Sequence, residues 1–350
     1  LKITGLGLGA LALAVGAACA QSGASGAWPM SNLLSPEARA LAPPTEGPGS
    51  RAPALPTERE VGIAKLRELM GANLQPNVDR MLATYPVDVQ ETTMGGVSVA
   101  VITPKGGVPE RNRNRVMINA PGGGFRTGIR PNGLMVSIPV ANLGQMKVIT
   151  ILYRQGPEAR FPAATEDFTA VYREVLKTHR PQNIGVFGCS AGGALVSQSV
   201  AHFIKTGIPK PAVMGVYCAG MASGGGDSTF ISAASAGQPV DRAMGETGGM
   251  GGQGPDGYYA GMDVKNPDIT PANDPTLLAR FPPVFLLTAT RDFAMSNALL
   301  THRRLLQAGV ESQVVVMDGL GHGFMTNALL PETREGQTAA VRFYDRHLGR

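Results

Sequence analysis

Val186-Phe187-Gly188-Cys189-Ser190-Ala191-Gly192-Gly193 is the stretch on which the reading of this chain turns. An apolar run breaks at one serine set among small residues, and a helical pattern takes over. Ile184 to Phe187 is short, apolar and β-prone; from Ala191 to Ile204, the residues Val196, Val200, Phe203 and Ile204 fall on one side of a helix. A strand that turns sharply into a helix at a serine imposes strained dihedrals on it, and bulky neighbours would clash. Gly-x-Ser-x-Gly at such a junction therefore reads as a nucleophile elbow. The turn lifts the hydroxyl clear of the sheet and aims the first helical N–H groups at whatever it attacks. The pentapeptide alone is a moderate signal, because glycine-rich loops carry the same spacing by chance.

Outward from the elbow, strand patterns arrive at Val87 to Thr92, Val97 to Ile102, Val116 to Ala120 and Val148 to Tyr153. The first two are close enough to pair as a hairpin around Gly95-Gly96. Helical patterns then alternate with strands: Thr165 to Thr178, strand 184 to 187, the helix from Ala191, strands Val213 to Cys218 and Val284 to Thr288, helix Ala294 to Ala308, strand Gln313 to Met317, and helix Thr333 to His347. Such alternation predicts an α/β fold with a mostly parallel central sheet flanked by helices and an antiparallel start. Ligands in these sheets collect at the carboxyl ends of the strands. Between Cys218 and Phe281 the pattern lapses into a glycine-rich insertion, residues 219–280, with Gly224-Gly225-Gly226 and Gly248-Gly249-Met250-Gly251-Gly252. It is too long for an ordinary connection and reads either as a cap over the site or as partly disordered.

The N-terminal part is of a different kind. Lys2 precedes an apolar Leu/Ala/Gly/Val segment ending at Ala18-Cys19-Ala20, so residues 1–20 read as a signal peptide cleaved after Ala20, which predicts a secreted or periplasmic protein with no stable membrane insertion. A lipoprotein acylated at Cys19 is the alternative. Residues 21–84 read as a linker, rich in Pro, Gly, Ala and Ser to about Pro56 with a short helical pattern near Pro36 to Leu41, followed by N-terminal cap helices. Thr57 caps a helix from Glu58, with Glu60 three residues on and Val61, Ile63, Leu66, Leu69 and Met70 as its apolar residues, and a second stretch covers Val78 to Leu82. Residues 85–350 read as the catalytic domain.

Composition narrows the function classes. The 350 residues are 43% apolar, enough for a sizeable core. A net charge of +5 with scattered Lys and Arg and only 5% aromatics argues against nucleic-acid binding. The densest basic cluster, Arg111, Arg113 and Arg115, reads as a solvated loop. With Cys19 removed, Cys189 and Cys218 remain, too few for a disulfide framework, and each closes an apolar strand, which suggests buried, reduced thiols.

A serine hydroxyl at neutral pH needs a base, the base an orienting acid, and the developing oxyanion needs donors. Of five histidines, His179 ends a helix and His202, His302 and His347 lie within helical patterns; His322 alone sits in a glycine-flanked loop, Gly319-Leu320-Gly321-His322-Gly323-Phe324, after a strand. For the acid, Asp292 follows strand 284 to 288 at the head of a helix, where an N-cap is the ordinary role of Asp. Asp318 is its rival, but lies only four residues before His322, which makes a facing geometry awkward. Asp292 is the better candidate. Donors are expected from Asn119-Ala120-Pro121-Gly122-Gly123-Gly124-Phe125, a glycine run directly after a strand, where backbone N–H groups approach a bound carbonyl with no side chain in the way.

Taken together these motifs resemble the hormone-sensitive lipase family of α/β-hydrolases, over about residues 85 to 350. The counterparts are Pro121-Gly122-Gly123-Gly124, the elbow Gly188-Cys189-Ser190-Ala191-Gly192-Gly193, Asp292, His322-Gly323-Phe324, and a run from Tyr153-Arg154 through Pro157-Glu158 to Phe161-Pro162-Ala163-Ala164 with Asp167. The resemblance implies the α/β-hydrolase fold, Ser190 as nucleophile, Asp292 and His322 as its relay, and an oxyanion hole from the N–H groups of Gly123, Gly124 and Ala191. It also implies an N-terminal segment contributing to a cap. Two positions depart from the family pattern: Pro121 stands where a histidine braces the glycine loop, and Cys189 where an acidic residue precedes the nucleophile.

The expectation is a serine carboxylesterase hydrolysing short- to medium-chain esters through an acyl-enzyme, with no cofactor and no metal, a small-molecule ester as its partner, and homodimer formation left open. A hydrolase-like binding protein with weakened catalysis is the alternative of a different class. A lactonase, amidase or acyltransferase would use the same residues.

Overall fold

The computed structural model describes residues 31–41, 55–235 and 256–349. The segment read as a signal peptide, Cys19 and the Gly248 to Gly252 run lie outside the described residues.

Eight strands form one sheet: β1 Val87–Met94, β2 Val97–Pro104, β3 Val116–Ala120, β4 Lys147–Ile151, β5 Ile184–Cys189, β6 Val213–Tyr217, β7 Val284–Arg291 and β8 Ser312–Gly321. Their spatial order is β1-β2-β4-β3-β5-β6-β7-β8. β1 pairs with β2 and β2 with β4 antiparallel, whereas every pair from β4 to β8 is parallel. All eight strands are those the sequence predicts, and the β1–β2 hairpin turns at Gly95-Gly96 as expected.

The three central strands β3, β5 and β6 are buried along their whole length, which is why they read as continuous apolar runs rather than alternating ones. Alternate residues still serve different layers. Val284 and Leu286 of β7 point into one core with Phe168, Leu195 and Leu305 from helices Ala163–Leu176, Ala191–Thr206 and Met295–Gln307. Phe285 and Leu287 point into the other, with Ile138, Met81 and Phe343 from helices Arg130–Gly144, Ile63–Thr84 and Pro331–His347. Covering both faces this way is what an α/β sheet requires.

Helix Arg130–Gly144 has no counterpart in the sequence reading. Pro131 and Pro139 interrupt its pattern, and ten of its fifteen residues are buried, so apolar groups surround it and leave no polar face to mark the period. The Thr57 cap forms as expected: its backbone N–H and hydroxyl donate to the Glu60 carboxylate at 2.7 and 2.8 Å. The helix it starts then stops at Gly62, whose φ is +77°, and a second runs unbroken from Ile63 through Pro76 to Thr84. Where the sequence suggests one helix and a separate stretch near Val78, the division falls earlier.

Two further expectations are corrected. Arg115, read as part of a solvated loop, is 3% exposed and clasps the C-terminal end, donating to the carbonyls of Gly349 and Leu348 at 2.7 and 2.9 Å and to Asp345 at 2.5 Å. Within the stretch read as linker, helix Pro36–Leu41 is docked: Leu34 is buried, and the Ser35 N–H and hydroxyl donate to Glu332 at 2.9 and 3.0 Å.

Candidate active site

At the carboxyl end of β5 the chain reverses into helix Ala191–Thr206, and Ser190 takes φ +56° and ψ −124°, a conformation no ordinary strand or helix residue adopts. The reversal holds because the backbone packs without side chains: a Cβ on Gly192 would stand 1.9 Å from the carbonyl oxygen of Ala120. The Ser190 N–H donates to the Tyr217 carbonyl at 2.8 Å, tying the elbow to β6. The side chain is left aimed across the strand ends.

There it meets the loop after β8. His322 Nε2 stands 2.9 Å from Ser190 Oγ, and His322 Nδ1 stands 2.7 Å from Asp292 Oδ1. Asp292, just past β7, is fully buried. Its Oδ1 also accepts from the Ala294 N–H at 2.9 Å, and its Oδ2 from the Thr288 hydroxyl at 2.8 Å. Burial alone would raise the pKa of this carboxyl, but the His322 bond and charge and the two other donors outweigh it and hold it below the usual carboxylate range. For His322, burial disfavours the imidazolium, and the hydrogen bond and charge of Asp292 more than compensate, so its pKa lies above the ordinary histidine value. Phe293 stacks on the imidazole at 4.2 Å, fixing the ring plane.

The rival acid is placed elsewhere. Asp318, on β8, accepts from the Ser31 hydroxyl and from the hydroxyl of Thr290 on β7. The other histidines are also remote: His302 bonds Ser312, and His347 lies beside Glu311.

The glycine loop after β3 lies directly against the elbow; a Cβ on Gly122 would come within 3.2 Å of Ser190 Cβ. Gly123 has φ +128°, and a Cβ there would fall 2.4 Å from the Gly128 nitrogen, so only glycine fits. The Gly123 carbonyl accepts from Arg126 and Thr127 N–H at 3.0 and 2.8 Å, a turn that leaves the N–H groups of Gly123 and Gly124 out of the loop's own bonding. Gly124, Ser190 and Ala191 line one cavity together.

Several contacts that shape the site are not legible in the sequence. Pro121 has no side-chain donor; the bracing comes from Tyr153, whose hydroxyl donates to the Pro121 carbonyl at 2.7 Å, and from Gln155, which exchanges bonds with the Gly128 N–H and carbonyl at 2.8 and 3.1 Å. Tyr153 and Gln155 flank Arg154 just after β4, and the apolar-strand signal there gave no hint of where their polar tips end. Asn297 straps the loop after β6 by donating to the Ala222 and Gly224 carbonyls, both at 2.8 Å. Part of the glycine-rich insertion closes over the loop: Tyr258 stacks on Phe125 at 4.7 Å, and Tyr259 meets its edge at 5.1 Å.

The cavity beside Ser190 is about 70 Å³, walled by Phe125, Ala194, Ala219, Ala222, Tyr259 and Asn297. Cys189 points away from it into the core beneath, with its sulfur 3.8 Å from that of Met325, so the elbow presents only its serine. Among the described residues both cysteines, Cys189 and Cys218, are buried and free.

Comparison with known proteins agrees with this fold. A family model described as alpha/beta hydrolase fold matches residues 117–326. The chain is 25% identical over 202 residues to an acetyl-hydrolase of Streptomyces hygroscopicus, covering 57% of this chain and a little under two thirds, 65%, of that relative. Among solved structures it is similar to the esterase E25, with a TM-score of 0.69 and 28% identity over 84% of this chain and 88% of that one. It also shares its fold with an esterase from the bacterial hormone-sensitive lipase family, with a TM-score of 0.65 and 20% identity over 79% and 99% of the two chains. The chain belongs to the alpha/beta hydrolase fold family.

Proposed function

We propose that this protein is a serine carboxylic ester hydrolase acting on esters of small acyl groups, with Ser190 as nucleophile, His322 as general base and acid, and Asp292 as its orienting partner. The observation that carries the reading is the unbroken chain of contacts Asp292–His322–Ser190, at 2.7 and 2.9 Å. In the proposed cycle, Ser190 Oγ attacks the ester carbonyl as its proton passes to His322 Nε2, and the imidazolium is stabilised by the buried Asp292 carboxylate. The oxyanion is received by the N–H groups of Gly123, Gly124 and Ala191, each donor worth about 3–4 kcal/mol of barrier. Collapse breaks the ester C–O bond and His322 returns the proton to the leaving alcohol. Water then attacks the acyl-enzyme by the same route.

The size of the acyl group follows from the cavity. The space beside Ser190 is about 70 Å³, under half of the roughly 150 Å³ that holds benzene, which favours a small acyl group such as acetyl. The name of the Streptomyces relative, acetyl-hydrolase, is in keeping with this.

The test is labelling with a fluorophosphonate and turnover of a short aryl ester. The intact protein is expected to gain one adduct at Ser190 and to hydrolyse aryl acetate, and Ser190→Ala to lose both. A Ser190→Ala protein with full turnover would rule the assignment out, and an intact protein that takes no label would mark a hydrolase-like binder. Export of the chain through residues 1–20 is proposed on composition alone and is checked by sequencing the N-terminus of the mature protein.

A further inference from the structure

We infer that the floor of the site is a binding site for one zinc-like divalent cation, held by Cys218, Asp292 and His322, and that occupancy switches the Ser190 relay off. The binding stands on geometry; only the switching rests on the hydrolase reading.

One ligand atom from each of the three residues lies within 4.8 Å of the other two. The imidazole atom turned to Asp292 is Nδ1, at 2.7 Å. Sulfur, nitrogen and carboxylate oxygen together suit zinc and cadmium, whereas magnesium and calcium prefer all-oxygen sites. With metal–ligand distances of about 2.0–2.3 Å, the edges of a tetrahedral site run to about 3.3–3.8 Å. The Asp292–His322 contact of 2.7 Å therefore has to open by about 0.6 Å, and the sulfur to draw in by up to about 1 Å. Cys218 lines the cavity beside Ser190 and is 1% exposed, so an ion has to enter from that cavity. The same cavity supplies water for the fourth position. Burial, with Cys189 and the Asp292 charge beside it, pushes the Cys218 thiol pKa well up, so the cation itself must displace the thiol proton, helped by the Gly323 N–H that donates to Cys218 Sγ at 3.3 Å.

Neutral His322 carries its proton on Nδ1, donating to Asp292 and leaving Nε2 free to accept from Ser190. A cation bound at Nδ1 takes that lone pair. The ring proton moves to Nε2, which then donates to Ser190 Oγ and no longer takes its proton. The Cys218 thiol releases one proton to solvent, and no electron is transferred.

The experiment uses the full chain carrying Cys19→Ser, stripped with chelator, so that only Cys189 and Cys218 contribute thiols. Cadmium is titrated in and the ultraviolet thiolate-to-metal band read without substrate; zinc is added in a parallel assay of aryl acetate hydrolysis. Expected are a band saturating at one equivalent and inhibition by zinc that chelator reverses. Losing an outer-shell partner typically weakens a metal site about 10–100-fold, so Cys218→Ser should abolish the band and weaken cadmium binding more than about 100-fold, while Cys189→Ser retains it. His322→Ala, which leaves both thiols in place, should also weaken cadmium binding and serves if Cys218→Ser fails to fold by circular dichroism. No band in the parent protein, or a band that survives Cys218→Ser and vanishes with Cys189→Ser, overturns the site. A saturated band with undiminished hydrolysis overturns the switch. A band in a protein that hydrolyses no ester leaves the site standing and counts against the hydrolase reading instead.

Discussion

The Tyr153 hydroxyl donates to the Pro121 carbonyl at 2.7 Å, and through that bond the chain leaving β4 holds the glycine loop against the Ser190 elbow. Pro121 and Tyr153 are both buried, so no solvent replaces the bond if it is removed. Tyr153→Phe keeps the ring in its packing against Phe125 and deletes only the donor. A buried carbonyl left unpaired costs about 1–3 kcal/mol. If the loop shifts to recover a partner, its N–H groups move away from the proposed oxyanion position. Steady-state kinetics on a short aryl ester should show kcat reduced about 10-fold with KM little changed; an unchanged kcat would show that the loop holds its shape without Tyr153.

In the proposed mechanism Asp292, and not its rival Asp318, orients His322. Asp292→Asn keeps the shape of the side chain but presents an amide to His322 Nδ1, favouring the wrong tautomer, and a loss of about 10⁴ in kcat is expected by analogy with the serine-protease relay. Asp318→Asn touches Ser31 and Thr290 and should leave kcat within a few-fold. The pair is read on the same substrate, and a larger loss at Asp318 than at Asp292 would reverse the assignment.

What was legible in the sequence and what was not follow from how each feature is written there. The strands were readable because doubly covered strands are short apolar runs. Ser190 and His322 were readable because their loops are marked by glycines that the backbone requires, as Gly192 shows against Ala120. Helix Arg130–Gly144 was hidden because it is buried nearly all round and carries two prolines. Arg115 misled because three alternating arginines look like a solvated run, and only the fold brings the Leu348 and Gly349 carbonyls to one of them. Tyr153, Gln155 and Asn297 act through bonds to backbone groups up to 75 positions away, a kind of contact that local spacing does not encode.

In the proposed mechanism the raised pKa of His322 sets the pH profile. The base must be neutral in the free enzyme, so kcat/KM is lost as pH falls through the His322 pKa. Because the Asp292 carboxylate outweighs burial there, the midpoint of the acid limb should lie above the ordinary histidine value of about 6.5. The profile is measured with chelator present, and a midpoint below that value would show that burial dominates instead.

Arg115 ties the end of helix Pro331–His347 to the turn before β3. Arg115→Ala removes charged-donor bonds to Leu348 and Gly349, but the Asp345 side chain it pairs with is 56% exposed and is re-solvated without penalty. A destabilisation of about 2–4 kcal/mol is expected from the lost bonds. Denaturant unfolding reads it as a shifted midpoint at unchanged slope; a shift under about 0.5 kcal/mol would mean that the C-terminal end is held by other contacts.

Tyr259 brings the insertion to the cavity beside Ser190. Its ring meets the edge of Phe125 at 5.1 Å, its hydroxyl accepts from Gln198 at 2.7 Å, and both rings wall the small cavity beside Ser190. If that cavity receives the acyl group, each extra methylene that must be forced past the wall is discriminated by about 1–3 kcal/mol. Tyr259→Ala removes the wall at some cost in stability, so the useful quantity is a ratio that does not depend on how much enzyme is folded. The kcat/KM for aryl hexanoate over aryl acetate should rise at least about 10-fold in Tyr259→Ala. A ratio that stays constant while both values fall would place the acyl chain elsewhere and give this cavity to the alcohol.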